Sequence, residues 1–249
     1  MKIQYLSDIH LEVASLDIPL TDADIVVLAG DIHANAIRAV DWASRFPQEV
    51  IFVLGNHEFY SGGTITCLPS DLKDYANKYP NVHVLNNQSI VIDDVAFHGC
   101  TFWTDFELYG NPDLAFYYAQ KSMSDYRRIN FDNAQTFTPQ LSAALHQKSV
   151  AWLSEAIRLS SSLKNVVVTH HLPTQDAIHE KFKDNSVLNP AFASDCSQLF
   201  SHRITAWFYG HNHDCRVFEK EGIKFLTNQR GYHGYEVVDD FDAYKTLEI

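Results

Sequence analysis

Five short polar segments occur in a fixed order along the chain: Asp8-Ile9-His10, Gly30-Asp31, Gly55-Asn56-His57-Glu58, His170-His171 and Gly210-His211-Asn212-His213. Each follows a run of β-type residues, as Ile25-Val26-Val27-Leu28-Ala29 precedes Gly30 and Val50-Ile51-Phe52-Val53-Leu54 precedes Gly55. Near-continuous apolar runs are the pattern of strands buried on both faces, in the interior of an α/β fold. The chain is therefore constrained to an architecture that delivers five sets of polar side chains to the C-terminal ends of buried strands, where the ligands of open α/β sheets gather. Asp, Asn and His pack poorly at strand ends but bind hydrolytic metal ions well.

Taken singly, each segment has an ordinary explanation. Asp8 and His10 point to the same side of an extended backbone, Asp31 could cap a helix, and a pair such as His211 and His213 is common in exposed loops. Packing does not explain all five together, and their convergence implies a metal site assembled from the whole chain. Asn56 would offer a neutral oxygen where a further carboxylate would over-neutralise the metals.

Strands are expected at Ile3–Ser7, Ile25–Ala29 and Val50–Leu54, with a helix around Ile37–Ala43, so that right-handed crossovers build a largely parallel sheet. A second sheet begins after residue 80 with Val82–Leu85, Ser89–Ile92 and Val95–Gly99, turning at Asp93-Asp94. Val166–Thr169 and Ala206–Tyr209 read as central strands. Arg216–Glu219, Ile223–Thr227 and Tyr235–Val238 read as strands closing the second sheet, with a turn at Glu221-Gly222. Between Thr104 and Gln147 the chain is rich in Tyr, Phe, Asp and Asn, with weak periodicity until a helical run at Leu141–Leu159. That stretch is expected to be a long excursion over the strand ends, near the substrate.

A length of 249 residues suits one α/β domain spanning 1–249. The charge balance of 19 Lys+Arg against 31 Asp+Glu gives −12, a field that argues against long nucleic acid or an anionic membrane as partner. A compact phosphate remains compatible, because bound divalent cations invert the local field. The first residues run directly into a strand bearing candidate ligands, and Cys67, Cys100, Cys196 and Cys215 form no CxxC pair. A cytoplasmic protein with reduced, mostly buried thiols is expected.

The order Asp-x-His, Gly-Asp, Gly-Asn-His-Glu, His, Gly-His-x-His resembles the calcineurin-like metallophosphoesterase superfamily, and Thr169-His170-His171-Leu172-Pro173 and Asn228-Gln229-Arg230-Gly231-Tyr232 resemble its small bacterial members. The resemblance implies a two-sheet α/β sandwich flanked by helices, in four layers α/β/β/α. It implies Asp8, His10 and His213 on one metal ion, Asn56, His170 and His211 on a second, and Asp31 bridging them. The mixed N/O set suits Mn, Fe or Zn. Two such ions would activate a bridging hydroxide against a small phosphodiester or phosphomonoester, nucleotide-like in character, while His57 protonates the departing oxygen. Glu58 would have a structural hydrogen-bonding role. A nuclease of the same superfamily and a non-enzymatic scaffold are the alternatives; the acidic charge weighs against the first and the complete ligand set against the second.

Two departures from the family pattern bear on the substrate. Many members carry a second aspartate three residues after the bridging one, supporting the catalytic histidine; here that position is Ala34, with His33 and Asn35 as nearby substitutes. The arginine that precedes Gly-Asn-His in the protein-phosphatase branch is Leu54. Cationic help would fall to Arg127 or Arg128, with Arg230 a weaker candidate, although a surface ion pair is the simpler role for the first two. His171 would contact substrate or fix a loop. Tyr60, Phe102, Trp103, Phe116, Tyr117 and Tyr118 would wall the site or, as such clusters usually do, form core.

Overall fold

The apolar runs become the middle strands of two sheets in the computed structural model, which describes residues 1–249. In the first sheet the order is β11-β1-β2-β3-β4, built from β1 (Lys2–Leu6), β2 (Ile25–Leu28), β3 (Glu49–Val53), β4 (Val82–Leu85) and β11 (Thr246–Glu248). All are parallel except β11, which runs antiparallel to β1. In the second sheet the order is β5-β6-β7-β8-β10-β9, from β5 (Gln88–Ile92), β6 (Val95–Cys100), β7 (Lys164–Thr169), β8 (Ile204–Phe208), β9 (Val217–Lys220) and β10 (Ile223–Leu226). Its centre, β6-β7-β8-β10, is parallel, and hairpins close both edges.

Alternation along the strands separates the layers. Tyr5, Val27, Val53 and Ile51 face Phe97, Val166, Val168 and Phe208 across the inter-sheet core. Their neighbours Leu6, Val26, Val50 and Phe52 turn outward onto α1 (Ala36–Ala43) and α2 (Leu68–Ala76). On the other side, Val167, Trp207 and Phe225 pack with Leu153 and Ile157 of α5 (Pro139–Leu159). The four-layer α/β/β/α sandwich is thus the expected one, with non-directional apolar burial on both faces of each sheet as its chief stabilisation.

Register decides where the polar segments emerge. Leu6 pairs with Leu28 and Leu28 with Phe52, so the loops after β1, β2 and β3 leave from one edge. In the second sheet Val168 pairs with Phe208, and Gly210 N–H donates to His170 O at 2.9 Å, bringing the fourth and fifth segments together. The two edges meet where Ser7 bridges Gln229 and Ser7 N–H donates to Asn228 O at 3.1 Å.

Several local expectations change, the first at Val82–Leu85, which does not begin the second sheet but pairs in parallel with β3 as the edge of the first. The excursion is not irregular: it carries α3 (Pro112–Ser122), capped where Asn111 accepts from Leu114 N, and the short α4 (Asp125–Arg128). Its periodicity is weak because α3 buries only Ala115 and Ala119. Tyr235–Val238 is not a strand; Tyr235 and Val237 are 87% and 86% exposed while Glu236 bends inward, and the chain ends instead as β11 on the first sheet. Both turns hold, with Asp93, Glu221 and Gly222 in left-handed backbone that hairpin turns require. All four cysteines are free, and three are buried, but Cys67 is exposed. No helix is long and apolar enough to cross a membrane.

Candidate metal centre

Backbone geometry marks the rim before any side chain is considered. Asp8 (φ 50°), His10 (48°), Asp31 (55°), His211 (77°) and His213 (49°) all lie in the left-handed region, which L-residues other than Asn and Asp seldom enter. Five such residues converging on one place is strain held by the surrounding structure, the usual circumstance of a functional site. Glycines admit the close approaches: a Cβ on Gly55 would stand 2.1 Å from Asp31 Oδ1, and one on Gly210 would stand 2.1 Å from Ser7 Oγ.

The side chains form two adjoining donor groups. In the first, Nε2 of His10 and Nε2 of His213 are 3.2 Å apart, and Asp8 Oδ1 lies 3.5 Å from His213 Nε2. In the second, His170 Nε2 is 3.0 Å from Asn56 Oδ1 and 3.2 Å from His211 Nδ1. Asp31 stands between them, Oδ2 3.9 Å from His10 Nε2 and Oδ1 3.6 Å from His170 Nε2. The seven residues singled out in the sequence therefore converge in space, in two groups on either side of Asp31.

Hydrogen bonding on the far side of each ring tests whether these groups fit cations. Nδ1–H of His10 donates to Glu12 Oε1 (3.2 Å), and Nδ1–H of His213 donates to Glu236. Both rings are thereby fixed with their Nε2 atoms turned toward each other. His170 Nδ1–H donates to Ala29 O (2.9 Å), and burial holds its pKa well below the ordinary value, so its Nε2 is a bare acceptor. Asn56 Nδ2 donates to the buried Asp125 (2.9 Å), which turns the amide oxygen onto that acceptor. Acceptor facing acceptor at 3.0 Å is repulsive unless a cation lies between, and rings oriented by carboxylate or carbonyl partners are the usual support of metal ligands. His211 turns Nδ1 toward the same acceptor, while its Nε2, on the other side of the ring, is buried without a hydrogen-bond partner. For Asp31, burial, then the Glu58 and Asp8 carboxylates, drive the carboxyl well above its usual range, a penalty that bound cations would reverse. The residues fit a metal.

Beneath the donors lies Glu58, fully buried. Its Oε2 accepts from Asp31 N (2.9 Å) and Gly55 N (2.7 Å), and its Oε1 from Ile32 N (2.7 Å) and His33 N (3.2 Å). One carboxylate thus ties two ligand loops together. Burial pushes its pKa up to about 7 although the four N–H donors pull the other way. Glu58→Gln turns an NH₂ toward backbone N–H groups and leaves buried donors unpaired, at a cost of about 2–4 kcal/mol in chemical denaturation. A loss below about 0.5 kcal/mol would remove Glu58 from this role.

His57 lines the cavity over this floor, its Nε2 3.9 Å from Asp31 Oδ2 and 3.1 Å from the Tyr232 hydroxyl. Nδ1 faces Glu12 Oε1 at 3.3 Å. Glu12 Oε2 accepts from Ala34 N at 3.0 Å, at the position where many relatives place an aspartate. A glutamate from the first loop therefore takes the place of the missing side chain. Burial is the largest single influence on its pKa and raises it, but the hydrogen bonds to His10 and His57 and the nearby His10 charge together outweigh burial and hold the carboxyl far below the usual range. The expected substitutes do other work: Asn35 caps α1, accepting from Arg38 N, and His33 Nδ1 accepts from Asn35 N.

A cavity of about 390 Å³ opens beside the donors, and its walls correct the expected substrate contacts. Arg127 donates to Lys121 O, Arg128 stacks on the Tyr60 ring at 4.1 Å, and neither lines the cavity. Arg230 binds the carbonyls of Ala14 (2.7 Å) and Ser15 (3.0 Å). His171 fixes a loop: it is buried, donates from Nδ1 to Thr101 O (3.1 Å) and packs on Trp103 and His211, and burial lowers its pKa to about 3. Phe102 and Trp103 are core, Tyr117 and Tyr118 are exposed, and of the six aromatic residues only Tyr60 reaches the cavity. Much of the wall comes from Leu172 to Phe192, with Lys181 as its cation. Sequence reading missed Glu12, Asp125, Lys181, Tyr232 and Glu236; only Glu12 carried a signal, continuing the alternation Asp8-x-His10-x-Glu12.

A two-sheet sandwich with carboxylate, amide and imidazole donors converging at one rim defines a metal-dependent hydrolase. The chain belongs to the calcineurin-like phosphoesterase family, whose pattern matches residues 1–215, and so acts on phosphoric esters. It is similar to the uncharacterized protein L509 of Acanthamoeba polyphaga mimivirus, with 28% identity over 281 aligned positions, covering 99% of this chain and 96% of that protein. Among solved structures it resembles the phosphopantetheinyl hydrolase PptH of Mycobacterium tuberculosis with a TM-score of 0.70 at 17% identity, covering 93% of this chain and 89% of that one, a likeness of fold.

Proposed function

We propose that the chain is a dinuclear enzyme hydrolysing a small phosphodiester or phosphomonoester, with residues 1–249 acting as one unit. Asp8, His10 and His213 would hold one ion, Asn56, His170 and His211 the other, and Asp31 would serve both. The observation that carries this reading is the opposition of bare acceptors, His170 Nε2 facing Asn56 Oδ1, with a second donor cluster of Asp8, His10 and His213 across Asp31. A mixed N/O donor set suits Mn, Fe or Zn. When bound, the ions supply Lewis acidity toward the phosphate and a nucleophile from water.

The remaining chemistry falls to the chain's own side chains. His57 is the general acid, because its Nε2 reaches into the cavity beside Asp31 while Glu12 holds the opposite nitrogen. Tyr232, whose hydroxyl touches the same Nε2, helps keep that ring in place. Asp125 and Tyr60 fix Asn56, the former by the amide hydrogen bond and the latter by its own bond to the same carboxylate oxygen. Lys181 stands at the wall for a phosphate oxygen. The four free thiols suit a reducing compartment such as the cytoplasm.

Metal analysis after reconstitution with Mn²⁺ or Zn²⁺ should find about two equivalents per chain, and bis-p-nitrophenyl phosphate or p-nitrophenyl phosphate should then be hydrolysed, with activity lost to a chelator and restored by metal. Less than about one equivalent after reconstitution would overturn the dinuclear reading.

A further inference from the structure

The cavity's charge and surface are unequal at its two ends. Toward the donors it is polar, bounded by Asp31, His57, His211 and His213. The rest of the wall carries Met123 of the excursion and Ile178, Phe182, Leu188 and Phe192 of the segment between the fourth and fifth motifs. Ser122, Ser124, Asn185 and Asn189 are interspersed among them. Phe192 packs on the His211 ring, with centroids 4.7 Å apart, so the apolar wall begins at the donors themselves.

Amides near this wall are partly committed to the fold. Asn189 Nδ2 donates to Phe182 O (2.9 Å), Asn212 Nδ2 to Ala177 O (2.9 Å), and Asn185 Oδ1 accepts from Leu188 N (3.2 Å). Lys181 is the single Lys or Arg lining the cavity, against the carboxylates of Asp31, Asp125 and Glu236. Beyond one phosphate at the metals, a second or third phosphate would meet no cation but Lys181. A neutral carbon-rich chain would meet carbon.

Resting on the hydrolase reading above, we infer that the substrate is a phosphate ester whose organic arm is uncharged and extended, lying along Ile178, Phe182, Leu188 and Phe192. This places the specificity wall on the segment 172–192 and disfavours nucleoside di- and triphosphates. Burial of apolar surface against such a wall strengthens binding with each added methylene.

The test is calorimetric binding of n-alkyl phosphates from ethyl to hexyl to the metal-loaded protein, which does not depend on turnover. Kd is expected to fall by about two- to four-fold per methylene, the upper figure corresponding to full burial of each group. Phe182→Ala and Leu188→Ala are each expected to reduce that gain to less than about 1.5-fold per methylene. A Kd independent of chain length, or tighter binding of adenosine diphosphate than of hexyl phosphate, would overturn the inference. A full chain-length dependence retained in both variants would overturn the assignment of the wall. Failure of the hydrolase reading shows separately, as metal-loaded protein that binds the series but cleaves no aryl phosphate ester.

Discussion

Asp31→Asn is expected to lower kcat/KM by about 10³-fold or more and to reduce bound metal from about two equivalents toward one or none, because a neutral amide replaces the charge shared by both donor groups. The carboxylate is also a structural acceptor, taking the His57 backbone N–H at 2.8 Å on Oδ1. Asparagine keeps that acceptor and the side-chain volume, so circular dichroism and the denaturation midpoint should stay close to the parent. An Asp31→Asn protein with parental turnover and two equivalents of metal would remove Asp31 from the centre of the mechanism.

The second large effect concerns the carboxylate behind His57. If His57 gives its proton to the departing oxygen, His57→Ala should cost about 10²–10⁴-fold on a poor leaving group such as an alkyl alcohol and far less on p-nitrophenolate, which leaves without help. Glu12→Ala should reproduce that selectivity at about 10–10²-fold, since it removes the partner that orients the ring rather than the acid itself. Glu12→Gln keeps an oxygen acceptor for Nδ1–H and should recover part of the loss. Metal content must be read alongside, because the same carboxylate accepts from His10. Equal losses on alkyl and p-nitrophenyl esters at full metal occupancy would reduce Glu12 to a structural group.

Much of this was legible because strand chemistry and ligand chemistry are written in different residues. Val, Ile and Phe runs ending in Gly-Asp, Gly-Asn-His or Gly-His carry both the sheet and the direction in which its edge presents donors. Seven candidate ligands could be named from those runs, and all seven meet at one rim. Helix α2 was less visible, since it buries just Leu68, Leu72 and Ala76, and α3 less still.

What escaped reading shares a physical cause. Glu236 reaches His213 from a stretch whose neighbours are exposed, and Asp125 reaches Asn56 from a one-turn helix. Supporting partners of this kind depend on where a loop happens to return, and neither periodicity nor composition records it. Arg127 and Arg128 misled for the same reason: their charge suited a phosphate, but α4 turns one onto a helix-end carbonyl and the other onto the Tyr60 ring. Ala34 carries no carboxylate toward His57. Its replacement lay on a different strand end, within hydrogen-bonding distance of the Ala34 amide itself.

Strand β1 receives β2 on one side early in the chain but its other neighbour, β11, only from residues 246–248. The loop after β1 is held in the same delayed way, with Ser7 N–H donating to Asn228 O and Gly231 N–H to Asp8 O. The contacts that hold this first loop are therefore long-range, and it is ordered only once residues 228 to 231 have docked beside it. The placement of Asp8 depends on residues more than two hundred positions away in sequence, and local structure alone does not build this part of the rim.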